Sequence, residues 1–163
     1  MPNVYNVLFL CTGNSARSIL AEAILNRRGR PNFHAFSAGS HPTGRVNPLA
    51  LKQLEVARLP IAGLHSKSWD EFAKPGAPQM SFVFTVCDNA EAEVCPVWPG
   101  QPVTAHWGVP DPAAVMGPVE QMERAFRDAF VTLDRRIGLF LSLPLASLSQ
   151  LALKKEVDHI GRE

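Results

Sequence analysis

Val4-Tyr5-Asn6-Val7-Leu8-Phe9-Leu10-Cys11-Thr12-Gly13-Asn14-Ser15-Ala16-Arg17-Ser18 passes from a nearly unbroken apolar run into a series of small residues closed by an arginine. An apolar run without polar alternation is the pattern of a strand buried on both faces, as in a parallel sheet covered by helices. Ser18 to Arg28 follows, with Ile19, Leu20, Ala23, Ile24 and Leu25 at helical spacing, and Gly29 ends it. A strand, a tight turn and a helix therefore follow one another directly.

The same alternation continues outward. Phe33 to Ser37 reads as a second strand, the Pro-, Gly- and Asn-containing stretch Gly39 to Asn47 as a loop, and Pro48 to Arg58 as a helix opened by proline. Ser81 to Val86 is aromatic and β-branched enough for a third strand, and Pro102 to Trp107 makes a fourth. Gly117 to Leu141 carries a long helical stripe including Val119, Met122, Phe126, Ala129, Leu133, Ile137 and Phe140. Pro144 breaks it, and Leu145 to Ile160 is expected as a last helix. Alternating strands and helices predict an α/β fold with right-handed connections, in which ligands bind beyond the carboxyl ends of the strands.

Composition sets the outer limits. At 163 residues, 46% hydrophobic and 19% charged, the chain suits one domain, residues 1–163, with 145–163 read as a C-terminal helical extension. Sixteen basic and fifteen acidic residues leave a net charge of +1, so no global field draws the protein to nucleic acid or to an anionic membrane. Arg27-Arg28-Gly29-Arg30 is read as a solvated helix end whose cations suit the helix dipole. The apolar stretch from Ile137 to Leu153 is interrupted by Ser142, Pro144, Ser147, Ser149 and Gln150, and is too broken for a membrane span. The N-terminus lacks the features of a signal peptide. Three cysteines make an odd, sparse set that suits reduced thiols and a cytoplasmic location. A monomer or weak dimer is expected, with Leu148, Leu151 and Leu153 of the last helix free to pack on the domain or on a second copy.

The loop carries the chemistry. Thr12, Gly13, Asn14, Ser15, Ala16, Arg17 and Ser18 at a strand end and helix start let consecutive backbone N–H groups form an anion nest, reinforced by the helix dipole. A tetrahedral oxyanion fits there, with two of its oxygens held by the planar Arg17 guanidinium. Cys11 lies at the floor of the nest, an environment that favours thiolate over thiol and makes it a nucleophile.

Cys-x5-Arg-Ser after an N-terminal strand resembles the low-molecular-weight protein tyrosine phosphatase superfamily, and Cys-Thr-Gly-Asn-Ser-x-Arg-Ser is similar to its arsenate reductase branch. Ser37-Ala38-Gly39, Asn47-Pro48, His65-Ser66, His106-Trp107-Gly108 and Asp111-Pro112-Ala113 resemble that branch in order and spacing, over residues 4 to 140. The resemblance implies a three-layer α/β sandwich with a four-stranded parallel sheet, flavodoxin-like, plus an extra C-terminal helix. It also implies a thiol relay in which Cys11 attacks arsenic, Cys87 attacks the Cys11 sulfur as arsenite leaves, and Cys95 then attacks Cys87. An external thiol reductant closes the cycle. Thioredoxin-linked members resemble Cys-x6-Cys, whereas seven residues separate Cys87 from Cys95 here, so glutaredoxin or a low-molecular-weight thiol stands beside thioredoxin as the reductant.

Asp111, held between Pro110 and Pro112, is the candidate general acid for the departing oxygen, with a helix-capping role as its alternative. Asn14 is expected to order the loop, Ser18 to hydrogen-bond the Cys11 thiolate, and Ser15 to contribute its backbone. The resemblance also implies potassium near Asn14, Glu22 and Ser37 with a later acidic side chain. That later position reads as Ser68, so no metal dependence is expected. Zinc on Cys87, Cys95 and His106 falls one ligand short of a structural site. Two further functions stay open. One is a phosphatase working through a cysteinyl-phosphate intermediate. Against it, the chain lacks a tyrosine after Asp111-Pro112, its only tyrosine being Tyr5, and this points to a small inorganic anion such as arsenate or phosphate. The other is an oxyanion-binding module without turnover.

Overall fold

Tyr5–Cys11 is the central strand, β1, in a computed structural model that describes residues 4–86, 98 and 100–163. Phe33–Gly39 (β2), Phe82–Thr85 (β3) and Val103–His106 (β4) complete a sheet of order β2-β1-β3-β4, parallel throughout. The register sets Cys11 beside Gly39 on one side and Leu10 beside Thr85 on the other. The chain leaves β1 first toward β2 and later returns to β3 on the opposite side. The carboxyl end of β1 therefore lies at the reversal of winding, where such sheets open a crevice.

Alternation along β1 divides the core. Val7, Phe9 and Cys11 join a large cluster with helices Arg17–Arg28 (α1), Pro48–Val56 (α2), Val119–Leu141 (α4) and Gln150–Ile160 (α5). Leu8 and Leu10 face a smaller cluster with Phe72 of the short helix Asp70–Ala73 (α3), Met80, Val83 and Trp98. Both faces of β1 are therefore covered, which accounts for its nearly continuous apolar sequence. Aromatic packing fills the larger side: Phe84 and Trp107 stack at 4.0 Å between ring centres, and Phe140 meets both edge-on.

The expected elements are present with ends shifted by one to a few residues. Two differences have local causes. The four residues of α3 are too few to leave a periodic pattern. The expected single helix from Leu145 to Ile160 is instead a 3-10 turn over Leu145–Ser147 followed by α5, because the Ser149 hydroxyl caps a new start by accepting from Ala152 N at 3.2 Å. Helix α5 buries Val157 and Ile160, and the Trp107 indole N–H donates to Val157 O at 2.9 Å, while Leu151 remains 69% exposed. Among the described residues, no helix is long and apolar enough to cross a membrane.

Candidate functional site

Cys11 ends β1, buried at 5% exposure, and the next five residues turn the chain into α1. The carbonyls of this turn are claimed from outside. Thr12 O accepts from His41 N at 2.9 Å, Gly13 O from Thr43 N and from Ser66 Oγ at 3.1 Å each, and Ser15 O from Asn47 N at 2.8 Å. In a planar trans peptide the N–H points opposite to its carbonyl, so carbonyls drawn outward turn the amides inward. Among the described residues, the backbone N–H groups of Gly13, Asn14, Ser15, Ala16 and Arg17 donate no hydrogen bond. Ala16, at the N-cap of α1, supplies no capping side chain, so the helix adds its own free amides and dipole at the same place. The result is a run of unpartnered backbone amides at the start of α1.

Asn14 holds this turn from within. It is fully buried and adopts φ 46°, a left-handed conformation that asparagine tolerates better than most residues. Its Nδ2 donates to Ser18 Oγ at 2.8 Å and to Ser37 Oγ at 3.0 Å, and its Oδ1 accepts from Lys67 N at 2.9 Å. Ser18 Oγ accepts from Asn14, so its hydroxyl proton is directed elsewhere. Gly39 lies against the turn, where a Cβ would stand 2.5 Å from Thr12 O and 2.9 Å from Cys11 O. Only a residue without a side chain fits there.

Arg17 opens α1 and crosses the site. Its Nη1 donates to Val109 O at 2.8 Å, and its Nη2 lies 3.7 Å from Asp111 Oδ2. Its Nε is buried and has no partner among the described residues. An orphaned buried donor costs about 1–3 kcal/mol unless it finds an acceptor. The two Asp111 oxygens face different partners. Oδ1 caps the short 3-10 turn Pro112–Ala114 by accepting from Ala113 N at 3.0 Å, while Oδ2 faces Arg17.

The structure thus brings Cys11, the turn Thr12–Ser18, Arg17 and Asp111 to one edge of the sheet. Cys87 and Cys95 lie outside the described residues. The third residue of the zinc reading, His106, places Nδ1 2.6 Å from Thr85 Oγ1. Three contributors escaped the sequence reading. The Val109 carbonyl orients Arg17, Arg136 braces the segment before Asp111, and Lys67 enters the loop network beside Glu22. None carries a periodic or motif signal, since each acts across a long sequence separation. Burial pushes the Glu22 carboxyl above its ordinary pKa, opposed by the Ser37 hydrogen bond and the Lys67 charge. Burial likewise pulls the Lys67 ammonium below its ordinary value, opposed chiefly by Glu22.

Residues 6–157 match the family described as low molecular weight phosphotyrosine protein phosphatase. An arsenate reductase of Halalkalibacterium halodurans is 34% identical over 134 residues, 82% of this chain and 93% of that protein. Among solved structures, the arsenate reductase from Archaeoglobus fulgidus is similar with a TM-score of 0.60 at 26% identity, covering 81% of this chain and 98% of that one. A thioredoxin-dependent arsenate reductase of Corynebacterium glutamicum is similar in fold, with a TM-score of 0.55 and 24% identity over 85% of this chain and 64% of that one.

Proposed function

This chain belongs to the low molecular weight phosphotyrosine protein phosphatase family, and from that premise we propose that it reduces arsenate to arsenite through a cysteine relay. The observation that carries the oxyanion chemistry is the set of backbone amides from Gly13 to Arg17 and the Arg17 Nε, all without partners among the described residues and all beside the Cys11 end of β1. Relatives named arsenate reductase support the choice of substrate.

In the proposed sequence the Cys11 thiolate attacks arsenic and forms an S–As bond, and an oxygen leaves as water with a proton from Asp111. The nest and Arg17 hold the remaining oxygens and their charge. The Cys87 thiolate then attacks the Cys11 sulfur. The S–As electron pair stays on arsenic, which falls from As(V) to As(III) and departs as arsenite, while the two sulfurs form a disulfide. Cys95 attacks Cys87, frees the Cys11 thiolate, and leaves a Cys87–Cys95 disulfide for an external dithiol to reduce. Thioredoxin is the proposed reductant, with glutaredoxin or a low-molecular-weight thiol as the other sources of the same two electrons. A cytoplasmic location fits this demand for a reducing supply.

The second reading is phosphoryl transfer, favoured by the family itself and by the Asp111 carboxyl beside Arg17. A single turnover of fully reduced protein with arsenate separates the two. Stoichiometric arsenite with a Cys87–Cys95 bridge, mapped by peptide mass spectrometry, is the expected result, and C87S is expected to halt before arsenite release. Absence of arsenite and of any disulfide, with Cys11-dependent hydrolysis of an aryl phosphate, overturns the reductase reading.

A further inference from the structure

Behind the anion loop lies an ionic cluster that the proposed reaction never touches. Glu22 of α1 and Lys67 have side chains only 15% and 8% exposed, and their charged atoms lie 3.9 Å apart. Ser37 Oγ donates to Glu22 Oε1 at 2.5 Å, and Lys67 Nζ donates to Ser37 O at 2.9 Å. Asn14 joins the cluster to the loop through Ser37 Oγ, Ser18 Oγ and Lys67 N. Lys67 is delivered there by the sheet itself. Gly39 N donates to Lys67 O and Trp69 N donates to Gly39 O, both at 2.9 Å, which pairs the segment 67–69 with the end of β2.

Withdrawing a carboxylate and an ammonium from water is costly, and apolar residues of similar size serve stability at least as well. A cluster of this kind calls for a role beyond stability. Its ammonium sits on a backbone carbonyl and beside a carboxylate, an oxygen set that also suits a bare monovalent cation. Potassium, implied near Asn14, Glu22 and Ser37 by the family resemblance, does not fit here, because the Lys67 ammonium already occupies the Ser37 carbonyl and faces Glu22.

We propose that Lys67 is a tethered cation that takes the place of a bound potassium ion, and that as a positioning residue it holds Asn14, and through Asn14 the anion loop, in its binding conformation. The proposal rests on the oxyanion-site reading above but not on arsenate turnover. Its consequence is a site whose affinity is independent of the monovalent salt present.

The test measures phosphate affinity by calorimetry, and melting temperature, for reduced wild-type, K67A and K67R proteins in KCl, methylammonium chloride or choline chloride at equal ionic strength. Wild type is expected to behave alike in all three salts. K67A is expected to bind phosphate about 10- to 100-fold more weakly in choline, the loss typical of removing a partner that orients a primary ligand. Potassium or methylammonium should restore much of that affinity and raise the K67A melting temperature relative to choline. K67R, which keeps the charge, should retain more affinity than K67A. A K67A protein that unfolds in choline but folds in KCl supports the proposal in the same way. A wild type that needs potassium, or a K67A protein indifferent to the salt, overturns it. If wild type binds no phosphate in any salt, the oxyanion-site reading fails, while the salt response of K67A melting still decides the role of Lys67.

Discussion

Gly39 shows how little freedom single residues have around Cys11. Its backbone joins β2 to β1 at Cys11 and to the segment carrying Lys67, and its missing side chain is the space through which the Thr12 and Cys11 carbonyls pass. A methyl group at 2.5 Å from Thr12 O has no flexible neighbour to displace, since the atoms it meets are backbone. Gly39→Ala is therefore expected to destabilise the fold by about 1–3 kcal/mol, the usual cost of overpacking, and to weaken phosphate binding because the loop must move. Urea denaturation and calorimetry on the same variant check both. A stable G39A that has lost phosphate binding would place the strain wholly in the loop, whereas full retention of both would mean that the loop accommodates the methyl group.

At the scale of elements, two arginines govern where Asp111 stands. Arg136 of α4 donates to Trp107 O and Gly108 O at 3.0 Å each and also to Glu163 O, while Arg17 of α1 takes Val109 O at 2.8 Å. Three successive carbonyls leading from β4 to Asp111 are thus held by cations from two helices. Arg136 is 7% exposed, and burial lowers its pKa from the ordinary arginine value. Arg136→Met leaves buried carbonyls without donors, with an expected cost of about 2–3 kcal/mol for hydrogen bonds to a charged group. This corresponds to a melting temperature lower by about 4–12 °C in a chain of this size. Thermal unfolding followed by circular dichroism measures it, and an unchanged melting temperature would show that the C-terminal end is held by packing alone. The elements that carry the candidate site were legible in sequence because β1, the small-residue turn and α1 follow one another without interruption and each shows its own pattern. Asp111 was legible through its flanking prolines. The braces were not: Arg136 lies within an amphipathic helix where an arginine reads as solvated, and Lys67 sits in a stretch without periodicity. Ser149, one residue before α5, was the available signal for the split of the last helix.

For the molecule as a whole, the site exists only where separate parts of the fold meet. The Cys11 turn leaves β1, the segment 41–47 that claims its carbonyls follows β2, and the Asp111 segment follows β4. The unfolded chain has none of these contacts, so an oxyanion held in the proposed nest would bind the native state alone, and its binding free energy would add to stability by mass action. Phosphate at about 100 times its dissociation constant should stabilise the reduced protein by about 2.7 kcal/mol, which raises the melting temperature by about 5–10 °C for this length. Arg17→Ala should remove most of the shift, because it takes away the guanidinium and with it the only buried side-chain donor without a partner among the described residues. Cys11→Ser should keep most of it, because the nest consists of backbone amides and Arg17 rather than the nucleophile. Differential scanning calorimetry across a phosphate series tests all three proteins. A shift undiminished in R17A would mean that the Arg17 guanidinium takes no part in holding the anion. A shift lost in both variants would mean that the Cys11 sulfur is needed to shape the nest as well as to attack within it.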